Sequence, residues 1–188
     1  MGDPIRVELL GPVRVGGGAA PPFSDRGHAL LELVAWLSLH PEGVYGCQID
    51  RDLVWASTSR LSALSRIRRW LGSDALPRGR AGHPYRLRAV TDWSLAAGPI
   101  VDQWGGVRPD ASTEALVAAL RRVRGVPLAD IASPWADAPR LAMVLLLRDA
   151  AVELLRRPEV TGTLRNEVQV LAGRLLPSDR IDSTGRVA

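Results

Sequence analysis

The apolar residues of this chain change their spacing three times, and those changes constrain the fold more than any other feature. Over 5–10 (IRVELL) and 13–15 (VRV) apolar positions alternate with arginine or acid, the period of a strand, and Gly11-Pro12 between them reads as a turn. Over 25–39 the spacing becomes helical, with Leu30, Leu33, Val34 and Leu37 in line, Asp25 as N-cap and Pro41-Glu42-Gly43 as the stop. A second helix is expected over 48–55, with Ile49, Leu53 and Val54 on one face, and a third over 58–71, ended by Gly72. Residues 73–84 hold Pro77, Gly79, Gly82 and Pro84 and read as loop; 85–90 (YRLRAV) alternates again. The glycine triplet at 16–18 has no Lys-Ser or Lys-Thr after it, so it is not a phosphate loop.

After Thr91 helical spacing dominates. Residues 93–104 read as an irregular helix broken at Gly98-Pro99, and 112–124 as a helix capped by Ser112. The longest helix is expected over 139–157; its first half is apolar nearly all round, which predicts burial between neighbours. A last helix is expected over 161–176, then a frayed tail. The resulting class is α+β. An N-terminal winged helix-turn-helix domain with a small hairpin and wing (1–91) is followed by an all-α domain of paired helices in series (92–177), which suggest a solenoid-like bundle, and a flexible tail (178–188).

Charge is concentrated. All 24 basic residues are arginine, as in the protein of a GC-rich genome, and the net charge is +4. Residues 57–88 carry eight arginines and one acid, Asp74, so this stretch is +7 and the remainder −3. Such a patch is the expected footprint of a polyanion-binding surface, although a solvated helix face has the same composition. On a helical wheel started at Arg60, Leu64, Ile67 and Leu71 fall at about 40°, 340° and 20°, the inward face. Ser62, Ser65, Arg66 and Arg69 fall opposite, at about 200°, 140°, 240° and 180°. Arginine binds guanine edges or phosphates and serine is permissive, so these four residues are candidates for major-groove contact. Arg60, Arg78 and Arg80 are candidates for phosphate contact. Arg68, on the flank, is expected to meet a phosphate or an acid of the protein.

Other chemistry is thin. The single cysteine, Cys47, excludes a disulfide framework and reads as a small buried thiol. His28, His40 and His83 stand in no metal-binding spacing, the serines lack a G-x-S-x-G context and no carboxylate pair is singled out. No enzyme activity, cofactor or metal is implied. No apolar run approaches the roughly 18 residues of a membrane span, and no secretory signal is visible, so a cytoplasmic protein without membrane contact is expected. Six tryptophans divide into three on helix faces (Trp36, Trp55, Trp70), expected in the core, and three near the domain junction (Trp93, Trp104, Trp135), expected to join the two domains.

Taken together, IRVELLGPVRV (5–15), ALLELVAWLSLHPEGV (29–44), the Asp-Leu-Val-Trp at 52–55, LSALSRIRRWLG (61–72) and YRL (85–87) resemble the Streptomyces antibiotic regulatory proteins of actinobacteria. In the second half, ALVAALRRVRGVPLADI (115–131), Trp135 and the 140–155 helix are similar to the bacterial transcriptional activator domain of that family. The resemblance covers roughly residues 5–157 as many weak positions. It departs from the family at His83-Pro84, where a glycine precedes the wing's tyrosine, and in a shorter helical domain. The chain also resembles versions of this module at the C-terminal ends of larger proteins with LysM-type or membrane-spanning regions. The resemblance implies an OmpR-like winged helix that binds double-stranded DNA and a tetratricopeptide-like helical domain for dimerisation or contact with a protein partner. The alternative is a protein–protein signalling module whose winged helix has no DNA ligand.

Overall fold

The computed structural model describes residues 4–16, 27–78 and 82–175. Asp25, Arg80, most of the glycine loop and the tail lie outside the described residues. The chain is mixed α+β, with three short strands and seven α-helices among the described residues. β1 (Ile5–Glu8) and β2 (Arg14–Gly16) pair antiparallel across the expected Gly11-Pro12 turn, Val7 opposite Val15. Three helices follow: α1 (Gly27–Ser38), α2 (Gly46–Asp52) and α3 (Ser57–Leu71). β3 (Ala89–Thr91) then returns parallel to β1, Val7 opposite Thr91, so β1 is the central strand. Pleating sends Val7 into the core, while Arg6 and Glu8 take the other side.

The strand expected over 85–90 is split. Tyr85 pairs with Val44 through two backbone hydrogen bonds of 2.7 and 2.9 Å, and only Ala89–Thr91 joins the sheet. Between them the Arg88 amide donates to the Ala75 carbonyl (2.8 Å), which diverts the chain from either pairing. α2 starts two residues before the expected position, at Gly46, and ends at Asp52. Val54 is therefore not on its buried face. It sits in the turn after α2 at φ 53°, 88% exposed. Cys47 is exposed rather than buried, because the short helix turns Ile49 inward and leaves the thiol outside.

In the second half, α4 (Asp92–Ala97), α5 (Thr113–Arg121), a 3-10 turn (Pro134–Ala136), α6 (Asp137–Arg156) and α7 (Gly162–Gly173) follow in order. The irregular helix expected over 93–104 is only α4; beyond it the chain folds back, and Val101 bridges to Val107. The Ser112 hydroxyl caps α5 by accepting from the Ala115 amide at 3.1 Å, as expected. The helix stops short of Arg124 because the Arg124 amide donates to the Leu10 carbonyl instead (2.7 Å). α5 and α7 both pack on α6. Met143, Leu146, Leu147 and Leu154 of α6 are buried, yet Leu141 and Leu145 stay 58% and 48% exposed, so α6 has one covered face where two were expected.

One continuous apolar cluster runs from the sheet through α1 and α3 to α5, α6 and α7. Polar contacts cross with it. The buried Asp92 carboxylate accepts from the amides of Leu9 (2.6 Å) and Leu10 (3.0 Å). Leu128 donates to the Leu9 carbonyl (2.9 Å), and Val13 donates to Asp130 (2.9 Å). Trp135 donates from Nε1 to Glu32 of α1 (2.8 Å). Trp93 and Trp135 line a cavity of about 400 Å³ with Trp36, His40, Asp52 and Met143. Trp104 does not join the two halves. Asp102 closes its loop by accepting from the Trp104 and Gly106 amides, and Trp104 is 86% exposed. Among the described residues no helix is long and apolar enough to cross a membrane.

Candidate nucleic-acid interface

The candidate surface is built from α2, the four-residue turn 53–56 and α3. Local chemistry fixes each part. Gln48 reaches back to accept from the Tyr45 amide (2.7 Å), which closes the first turn of α2. The Leu53 amide ends the helix on the Ile49 carbonyl (3.0 Å), and Trp55 returns to the Asp50 carbonyl (2.9 Å). Val54 between them occupies the left-handed region, a costly conformation for a β-branched residue.

α3 is pinned to α2 by Arg60. Its guanidinium donates to the Gly46 carbonyl (2.8 Å) and is ion-paired with Asp50; only 14% of the side chain is exposed. Gly46 leaves room for this clamp: a Cβ there would stand 2.7 Å from Arg60 Cζ, so the guanidinium would have to shift. Arg60 is thus committed within the protein and not presented to a phosphate. The signal was in the wheel: Arg60 at its origin lies amid Leu64, Ile67 and Leu71, on the inward face.

The remaining face of α3 follows the sequence pattern. Ala63, Leu64 and Ile67 are buried. Ser62, Ser65 and Arg69 are exposed, Arg66 is half-buried and Arg78, in the loop beyond, is exposed. α3 carries four arginines and no acid. Among the described residues Arg68 is ion-paired with no acid. It donates to the Leu76 carbonyl (3.1 Å) and its guanidinium carbon lies 6.0 Å from the Tyr85 ring centroid, so it holds the following loop against the helix.

A groove of about 440 Å³ runs along the N-terminal half of α3. Ser59, Ser62 and Arg66 form one wall, Val54 and Trp55 the turn side, and Leu30 of α1 also lines it. Thr58 and Ser59 were not singled out from the sequence, although Ser59, Ser62 and Arg66 at i, i+3 and i+7 share a helix face. Leu61, also missed, is 54% exposed. Among the described residues no group of three or more His, Cys, Asp or Glu side chains could hold a metal ion.

Neither a protein-family model, nor a curated protein, nor a solved structure matches this chain.

Proposed function

We propose that this protein is a non-enzymatic, DNA-binding transcriptional regulator of winged-helix type, with α3 as the helix that enters the major groove. The observation that carries this reading is the outward face of α3. Ser62, Ser65 and Arg69 are exposed on a helix with no acidic residue, backed by Ala63, Leu64 and Ile67 in the core. An α-helix fits the major groove, and arginine with serine is a workable set for base edges and phosphates. Arg66 and Arg78 add positive charge to the same region; Arg60 serves α2–α3 geometry instead. The helices from α5 onward form a tetratricopeptide-like unit for dimerisation or contact with a protein partner, and the exposed Leu141 and Leu145 of α6 suit such a contact.

A second reading has its own support. Val54 and Leu61 are exposed apolar residues beside the arginine face, and Val54 lines the groove with Trp55 and Leu30. A protein partner with an acidic, partly apolar segment would use these features, and duplex DNA would not. Fluorescence anisotropy of a labelled mixed-sequence duplex, titrated at low and near-physiological salt, separates the two. Binding that weakens steeply with salt is expected for the DNA reader. Absence of binding at low salt, by protein shown to be folded, would transfer the assignment to the protein-partner reading.

A further inference from the structure

A second basic site lies away from α3. A cleft of about 240 Å³ is lined by Arg6 and Glu8 of β1, Asp92 of α4, and Arg121, Arg122 and Arg124 at and beyond the end of α5. Four guanidinium groups thus meet two carboxylates; with Arg121 paired to Glu167, an excess of one positive charge remains. The carboxylates are already occupied. Asp92 accepts from two backbone amides, and Glu8 pairs with Arg124 Nε at 3.2 Å. Arg121 turns to Glu167, bidentate at 2.7 and 3.0 Å. Arg124 Nη2 donates to the Pro12 carbonyl at 3.1 Å.

Two donors remain. Among the described residues, Arg122 Nε and Arg124 Nη1 are buried without a hydrogen-bond partner. A buried donor left unmade is costly, and native proteins rarely tolerate it without a reason. Here two occur on residues that line the same cleft, and Arg6, which also lines it, is exposed. The backbone is shaped to admit the arrangement. Gly11 lets the Arg124 side chain cross close over the hairpin turn, where a Cβ would stand 3.1 Å from Arg124 Cβ and 3.3 Å from Nη1. Guanidinium forks are matched to oxyanions, which accept several charge-assisted hydrogen bonds at once. The cleft volume falls below the roughly 300–1,000 Å³ of sites for drug-sized ligands, so the ligand is small.

We propose that this cleft binds a small, doubly charged oxyanion of the phosphate class through Arg6, Arg122 and Arg124. No residue of α3 lines it, so the site is separate from the DNA-binding face. Bound there, the anion ties the central strand to the end of α5 and stabilises the junction between the two halves of the chain.

The test is thermal unfolding of the whole chain with inorganic phosphate against potassium chloride at matched ionic strength, backed by calorimetric titration. Phosphate is expected to raise the midpoint by several degrees, saturably and with one site per chain, because a ligand bound only by the native state stabilises it. Arg122→Ala and Arg6→Ala should each weaken phosphate binding at least tenfold, while Arg122→Lys retains part of it. Arg6 is exposed, so its variant keeps the test sound if Arg122→Ala folds poorly. Arg69→Ala should respond to phosphate as the wild type does, whatever becomes of DNA binding. A response of glycerol 1-phosphate equal to that of phosphate extends the site to phosphomonoesters; a response of phosphate alone restricts it to the free ion. A phosphate shift no larger than that of chloride, or one unchanged in the Arg6→Ala/Arg122→Ala double variant, overturns the proposal.

Discussion

Two arginines nine positions apart on one helix have opposite duties, and substituting each tells them apart. Arg69 is exposed on the outward face of α3; Arg60 is clamped between Gly46 and Asp50. Arg69→Ala should lower the slope of log affinity against log salt by about one and leave the unfolding midpoint in place. Arg60→Ala should leave that slope unchanged and cost roughly 1–3 kcal/mol of stability, because the Gly46 carbonyl and Asp50 lose their donor. Equal salt slopes for Arg69→Ala and the wild type would remove Arg69 from the interface. Asp92 offers a second measurement at this scale. Burial pushes its carboxyl above the usual aspartate range, against the amides of Leu9 and Leu10 and the Arg124 charge, which pull it down. The folded state therefore holds this proton more tightly than the unfolded chain does. The contribution is fully present below the ordinary aspartate pKa and is lost as pH rises through the higher folded value. Urea unfolding followed from acid to neutral pH should show the stability of the wild type relative to Asp92→Asn declining as pH rises; parallel profiles would contradict it.

At the scale of elements, α6 shows how a helix divides its face between core and solvent. Leu147 is fully buried under its neighbours, whereas Leu145, two residues earlier, is 48% exposed. Leu147→Ala should cost about 2–5 kcal/mol, and Leu145→Ala should stay within about 0.5 kcal/mol, both read from chemical denaturation midpoints. A large cost at Leu145 would mean that α6 is covered in solution by something further, such as a second copy. The helix over 139–157 was legible because the stretch between Pro139 and Pro158 is too long for a strand, and Pro139 suits a first turn. Which of its leucines are covered was not, since that depends on which side α5 and α7 approach, and composition carries no trace of it. The same holds at α3. Period alone picked out Leu64 and Ile67 as inward and Ser62, Ser65 and Arg69 as outward. It did not show that Arg60 finds Asp50, because the partner lies on another helix across a turn whose strained Val54 no propensity would choose. β3 was misjudged for a related reason. Alternation fixes which way side chains point and not which neighbour a strand pairs with, so 85–90 read as one strand although its two ends bond to different partners.

For the whole molecule, the decisive feature is that the first strand is finished by the second half of the chain. The residues just past β1 have their backbone groups satisfied from beyond residue 91: Leu9 and Leu10 amides by Asp92, their carbonyls by Leu128 and Arg124, and the Val13 amide by Asp130. Leu9 and Leu10 are themselves fully buried. Separating the chain at residue 91 would expose these leucines and leave five backbone groups near the turn to find other partners. Those groups would return to water, so the hydrogen bonds themselves cost about 0.5–1.5 kcal/mol each, and the uncovered leucines add about 1.5–3 kcal/mol apiece. That sum is comparable with the whole stability of a small domain. The intact chain should therefore unfold in one transition, with helical circular dichroism and tryptophan fluorescence reporting the same midpoint, since Trp36 and Trp135 lie on opposite sides of the junction and line one cavity. A fragment of residues 1–91 should be unfolded or lose most of its denaturant resistance. Two separated transitions in the intact chain, or a fragment as stable as its parent, would show that the shared core and the contacts around Asp92 do not couple the halves.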